Sequence, residues 1–293
     1  MGRIGLNQGT FMQSLFTFLA PYLTSPITWI SFTFGACIGS FLNVCILRIP
    51  QKTFWKDLRS VCTHCGTPIP FWHNIPVLSW FILRGKAACC RQPISFQYPL
   101  VEAFTGFMFV LIYWKFPFVI RSGSQITLDS LETIRFAHAA VFCSLLIICS
   151  VIDLHLQIIP DVISLPMVAC TPLVVFLHPE LDWQSALYGV LAGGGSLYAL
   201  GLIYYLVRRE VGMGMGDVKL LAGIGGWLGY QSLVPTLFIS SISGAAIGIG
   251  VILVTRSGSM KVKIPFGPFL AIGAVLYLLF GQEINQFLFY RES

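Results

Sequence analysis

Apolar residues in this chain do not recur one face at a time, as on the helices of a soluble domain; they run on. Stretches long enough to cross a bilayer fall at roughly 27–47, 98–120, 136–153, 159–177, 183–207, 217–234, 233–254 and 264–281, by the rule that about 20 apolar residues span the hydrocarbon core. The pattern predicts an all-α polytopic membrane protein with about eight transmembrane helices, of which 217–234 and 233–254 are not separable by pattern alone. Polar stretches between the runs are short, except for one loop at 48–97. The expected blocks are a lead-in or interfacial segment over 1–26, two helices with the long loop over 27–120, and a helical membrane domain over 121–293. In the first block Arg3 precedes an apolar run over 11–20 with the length of a signal-peptide core, but no small-residue cleavage site follows it. The 121–135 connection reads as a solvated loop.

Composition agrees with the pattern. Of 293 residues, 56% are apolar and only 10% charged, and the mean hydropathy is +0.79, which excludes an ordinary soluble domain. The net charge of +6 matters through its distribution. Basic residues gather in the 48–97 loop (Arg48, Lys52, Lys56, Arg59, Arg84, Lys86, Arg91), at Arg208, Arg209 and Lys219, and at Arg256, Lys261 and Lys263. With spans that alternate in direction, all three groups fall on one side, and basic residues are retained on the cytoplasmic side. Scattered cytoplasmic positives explain the charge, so no nucleic-acid partner is expected; the bilayer is one partner.

The same alternation brings two acids to that face. Asp153 closes the third span and Asp217 opens the sixth, in Gly212-Met213-Gly214-Met215-Gly216-Asp217-Val218-Lys219. An ionisable residue at a membrane segment is costly to desolvate and marks a functional site. Two aspartates sharing a site keep one proton between them. The charged one can activate a water and the other can polarise a peptide carbonyl: the chemistry of an aspartic protease. Gly214 and Gly216 leave room for an extended substrate. Lys219 either orients the pair or anchors the span, and Asp161, after Ile159-Pro160, can stabilise a helix N-terminus. An ion-coupled transporter using the acid pair is the alternative from another class.

Five of the nine cysteines (Cys37, Cys45, Cys143, Cys149, Cys170) fall within spans and read as small core hydrophobes. The other four lie in the loop, as Cys62-Thr63-His64-Cys65 and the adjacent Cys89-Cys90. The first pair has metal-knuckle spacing, whereas a vicinal pair chelates one ion only with strain. Cys62, Cys65 and Cys90 are therefore the candidate zinc ligands, with Cys89, His64 or His73 as a fourth; the alternative is a loop of unligated thiols. Gly35 and Gly39 make a helix-packing spacing, Asn43 needs a polar partner, and Glu102 lies within a turn of the second span's start.

Taken in order, several motifs resemble the type IV prepilin peptidases, the bifunctional leader peptidases and N-methyltransferases of bacterial inner membranes. They are Gly39-Ser40-Phe41-Leu42-Asn43-Val44, Cys62-Thr63-His64-Cys65, Asn74-Ile75-Pro76, Leu83-Arg84-Gly85, Tyr98-Pro99-Leu100-Val101-Glu102, Asp153 through Ile159-Pro160-Asp161, Gly214-Met215-Gly216-Asp217-Val218-Lys219, and Ile264-Pro265-Phe266-Gly267-Pro268-Phe269. The resemblance implies that Asp153 and Asp217 are the catalytic pair, with Gly214, Gly216, Lys219 and Asp161 in support. It implies cleavage after the glycine that ends a short basic leader of a prepilin or pseudopilin. Methylation of the new N-terminal residue from S-adenosylmethionine then follows, with the 48–97 loop associated with this second activity and Gly85, Glu102 and Asn43 as its candidate residues. A peptidase-only member is the alternative within the family. The implied location is the inner membrane, multi-pass, with the active site facing the cytoplasm. One departure stands out: Ala87 occupies the place of the first member of the family's second cysteine pair.

Overall fold

The structure, a computed structural model, describes residues 25–54, 60–122, 125–210, 214–255 and 265–289. The lead-in segment, Gly212, Met213 and the basic cluster at 256–263 lie outside the described residues. The first helix, α1 (Pro26–Gln51), starts with proline in its first turn and closes on Lys52, whose left-handed backbone returns its N–H to the Arg48 and Ile49 carbonyls. In the loop domain a short α2 (Leu78–Ile82) follows a 3₁₀ turn at Phe71–His73. Helix α3 (Gln97–Lys115) then runs back along α1. The two backbones approach closely at small residues: a Cβ on Gly35 would meet Phe109, and one on Gly39 would meet the Glu102 backbone, each at 2.7 Å.

The expected solvated loop at 121–135 is instead an antiparallel hairpin, β1 (Val119–Ser122) with β2 (Gln125–Leu128), followed directly by α4 (Ser130–Leu156). Its strands carry Val119, Ile120 and Thr127, side chains that suit a pleated surface. Asp129 accepts from the N–H groups of Leu131 and Glu132, which starts α4 ahead of the apolar run. At its other end Gln157 takes a left-handed conformation and donates to the Asp153 carbonyl, leaving Asp153 in the last turn.

The run at 159–177 is two short helices, α5 (Asp161–Ala169) and α6 (Thr171–Leu177), broken at Cys170 between Pro166 and Pro172. Helix α7 (Trp183–Arg208) is capped by the Asp182 carboxylate. The inseparable pair resolves into α8 (Met215–Leu228), a turn at Gly229, and α9 (Leu233–Thr255). Helix α10 (Gly267–Phe289) completes the described chain.

Five helices, α1, α4, α7, α9 and α10, are long and apolar enough to cross a membrane among the described residues. The expected count of about eight is not confirmed. Polar Gln97 and Glu102 dilute α3, prolines divide α5 from α6, and α8 has 14 residues, about 21 Å of helix against about 30 Å of hydrocarbon. Short as it is, α8 lies at the centre: Leu220, Leu221 and Ile224 are fully buried, and it packs against α5, α6, α7, α9 and α10.

Candidate active site

Asp153 and Asp217 come from opposite ends of their helices, the last turn of α4 and the first turn of α8. A carboxylate is favourable at a helix N-terminus, which suits Asp217; Asp153, only 5% exposed, needs a different partner. Gly267 supplies it, donating its N–H to Asp153 Oδ2 at 2.9 Å. A Cβ on Gly267 would lie 2.7 Å from the same oxygen, so this approach requires glycine. Asp217 turns its carboxylate back over Gly214, with Oδ2 3.5 Å from where a Cβ on that residue would be.

One apolar side chain ties the two halves together. Buried Ile159 packs its Cβ against Gly216 (2.9 Å from a built Cβ) and its Cδ1 against Gly267 (3.2 Å). It thus touches the residue before Asp217 and the residue that holds Asp153. Across this wedge the two carboxylates are near enough for the charge of Asp153 to act on Asp217. Asp161 does not join them; it takes the Lys219 ammonium at 2.7 Å, linking the start of α5 to that of α8. His155 is exposed and bonded to the Val151 carbonyl. Ile159 escapes a sequence reading because an isoleucine before Pro160 looks like ordinary span. In the sequence Gly267 stands out only as part of the motif Ile264-Pro265-Phe266-Gly267-Pro268-Phe269.

In the loop domain two knuckles face each other. Cys62 N–H bonds the Thr67 carbonyl and Gly66 N–H that of Cys62; Ala87 N–H bonds Gln92 and Arg91 N–H bonds Ala87 in the same way. Each knuckle is closed by one isolated bridge, Val61 with Pro68 and Lys86 with Pro93. Ala87 thus corresponds to Cys62, and Cys90 to Cys65. Cys89, two residues after Ala87, reaches in instead. The Sγ atoms of Cys62, Cys65, Cys89 and Cys90 all lie within 4.8 Å of one another, with Cys62 to Cys90 at 3.7 Å and Cys65 to Cys89 at 3.3 Å. Four thiolates each about 2.3 Å from a tetrahedral zinc are roughly 3.8 Å apart, so the sulfur set fits a metal. Neither His64 nor His73 belongs to it. The Thr67 hydroxyl and backbone pull the Cys65 thiol down to about 6, and Cys89, whose S–H donates to the Cys65 sulfur, is pushed up to about 12.

Between the knuckles and the α1–α3 pair is a cavity of about 400 Å³, within the range of small-molecule sites. Asn43 and Glu102 line it, as do Trp80 and Tyr98. Asn43 Nδ2 donates to the Tyr98 carbonyl at 3.0 Å. Glu102 Oε2 accepts the Val77 N–H at 2.7 Å. Val77 has φ 63° and ψ −53°, with Leu78 N–H donating to the Pro76 carbonyl. This γ-turn is strained, the more so for a β-branched residue, and such strain concentrates at functional sites. Gly85 is not in the cavity wall. Its positive φ turns the chain beside the Trp80 ring, 3.0 Å from a built Cβ, and Trp80 Nε1 donates to the Ile94 carbonyl.

Residues 33–116 match the bacterial peptidase A24 N-terminal domain, and residues 140–249 match the type IV leader peptidase family. Curated proteins named prepilin leader peptidase/N-methyltransferase are similar over most of their length. One from Pseudomonas putida is 33% identical, covering 93% of this chain and 96% of the relative. One from Aeromonas hydrophila is 36% identical over 87% and 91%, and one from Pseudomonas aeruginosa is 33% identical over 92% and 96%. No solved structure matches this chain.

Proposed function

The chain belongs to the type IV leader peptidase family, and on that premise we propose that Asp153 and Asp217 are the dyad of a membrane aspartic endopeptidase. It removes the short basic leader of a prepilin or pseudopilin after glycine. The observation that carries the reading is that Ile159 packs against both Gly216, the residue before Asp217, and Gly267, whose N–H holds the Asp153 carboxylate. One carboxyl stays protonated because two carboxylates that share a site repel when both are charged. The charged partner takes a proton from water as the oxygen attacks the scissile carbonyl, while the protonated one donates its proton to the carbonyl oxygen; as the C–N bond breaks, the first passes the proton it gained to the leaving amine and the second takes a proton back from the gem-diol hydroxyl. Gly267 holds the Asp153 carboxylate in one orientation, so water and peptide meet a fixed acceptor. The Lys219–Asp161 pair keeps α5 and α8 in step; partly exposed, it is worth at most about 1 kcal/mol, which suits alignment more than stability.

The second activity is N-methylation of the new N-terminal residue, for which S-adenosylmethionine supplies the methyl group. The cavity bounded by Asn43, Tyr98, Trp80 and Glu102 is its proposed site. Glu102 gives that wall a carboxylate suited to a cationic donor or an N-terminal amine, held in place by Val77. A zinc ion would be held by Cys62, Cys65, Cys89 and Cys90, where it supplies a cross-link between the two knuckles. On this proposal the protein resides in the bacterial inner membrane with both sites toward the cytoplasm, a reading supported by the basic residues of the 48–97 loop.

The test is to incubate the purified protein with a short-leader prepilin and labelled S-adenosylmethionine, reading fragment mass, methylation and bound zinc. Cleavage after the leader glycine followed by methylation of the new N-terminus is expected. The double variant Cys62→Ala, Cys65→Ala should lose zinc and methylation but keep cleavage. Absence of cleavage by the unaltered protein would contradict the reading, and zinc retained in the variant would remove the cysteines from the metal site.

A further inference from the structure

The segment 71–82 has two faces. Ile75, Ser79 and Trp80 face the cavity. On the other side Phe71, Trp72, Leu78, Phe81 and Ile82 are open, Phe71 to 80% and Ile82 to 72%. A patch of this kind in a water-facing loop would be an unexplained liability. Its depth relative to α1 supplies the explanation.

Helix α3 is locked to α1 in register. Gly39 receives the Glu102 backbone, and Asn43 bonds the Tyr98 carbonyl. Glu102 in turn holds the Val77 N–H, so the turn at Val77 is level with residues 39–43 of α1. The apolar run of α1 continues to Leu47, about 6–12 Å further along the axis. The patch therefore lies below the end of a membrane-crossing run. Helices that lie in the interface bury their apolar face by about 5–10 Å. The patch is also continuous with the outer face of α3. The Trp80 ring meets both Phe81 and Phe96 edge to face, at centroid distances of 5.2 and 5.4 Å, and Phe96 is followed along α3 by exposed Leu100, Phe104 and Phe107. Exposed Arg84, Lys86 and Arg91 follow the patch in sequence, as basic residues do where an apolar face meets anionic headgroups.

We propose that Phe71, Trp72, Leu78, Phe81 and Ile82 form an interfacial anchor, inserted into the leaflet on the loop side and flanked by anionic phospholipid headgroups at Arg84, Lys86 and Arg91. The anchor holds the cavity at headgroup depth, with the γ-turn at Val77 as the hinge between lipid contact and Glu102. If the cavity serves methylation as proposed above, a freshly cut N-terminus reaches it without leaving the interface. The anchor itself does not depend on that reading.

The experiment uses the full chain in nanodiscs of phosphatidylethanolamine and phosphatidylglycerol with a prepilin co-embedded. Photoreactive p-benzoylphenylalanine replaces Leu78, Phe81 or Ile82, or Thr63 on the far knuckle as a control; only variants that elute as the unaltered protein does are irradiated, and adducts are read by intact mass. Phospholipid adducts at 78, 81 and 82 that are lost at 63 are expected. The proposal is overturned by lipid adducts no more frequent at 78, 81 and 82 than at 63, or by adducts to the prepilin stem or a second copy in place of lipid. Because the readout is mass, it holds or fails irrespective of whether either enzymatic reaction is detected.

Discussion

Asp153 is held by one backbone N–H, that of Gly267, in a space that no side chain can share. Gly267→Ala puts a methyl against the carboxylate oxygen, and the carboxylate must rotate. Misplacing a reacting group by about an ångström costs on the order of a hundredfold in rate. Prepilin cleavage by Gly267→Ala should fall by about that factor while the amount of folded protein in detergent stays unchanged; cleavage at the unaltered rate would show that the contact does not position Asp153. The acids themselves were legible in the sequence, because a carboxylate beside an apolar run is expensive. The residues that aim them were not. Nothing about Ile159 in an apolar stretch signals that it is wedged between Gly216 and Gly267. The cysteines were legible as a set, with Cys89 as a possible fourth ligand, but not their geometry: the adjacent pair sits in a knuckle in which Cys89 reaches the place that Ala87 leaves without a thiol.

At the scale of elements, apolar runs were found where expected, but hydropathy does not say whether a run faces lipid or protein. Helix α8 makes the difference plain. Its 14 residues are as apolar as a span, yet Leu220, Leu221 and Ile224 face other helices on all sides. It fits only because α7 approaches backbone to backbone: a Cβ on Gly189 would overlap the Gly225 carbonyl oxygen. Gly189→Ala should therefore destabilise the protein by more than the ~1–3 kcal/mol usual for overpacking, because the clash is with backbone. Gly195→Ala, on the same helix with nothing within 4 Å, should be close to neutral. Thermal inactivation of the two variants in one detergent checks the difference, and equal midpoints would refute the close crossing. The hairpin before α4 escaped notice because each strand has only four residues, too few for alternation to stand out beside 27 helical residues.

At the scale of the molecule, the chain holds two candidate sites: a carboxylate pair carried by α4 and α8, and a cavity between the cysteine knuckles and the α1–α3 pair. The order of motifs made both legible, since cysteine knuckles and membrane acids announce their chemistry. The depth of the loop was not, because it depends on the register of Gly39 with Glu102 and of Val77 with Glu102, contacts between segments distant in sequence. The central claim is that Asp153 and Asp217 act as one unit. It is tested most directly by prepilin cleavage rates for Asp153→Asn, Asp217→Asn and the double variant, each confirmed folded by retained methylation of a pre-cleaved pilin. Groups that act as a unit are strongly non-additive. Each single variant should lose roughly a thousandfold or more, and the double variant little beyond that. A single variant that still cleaves at the unaltered rate would contradict the dyad.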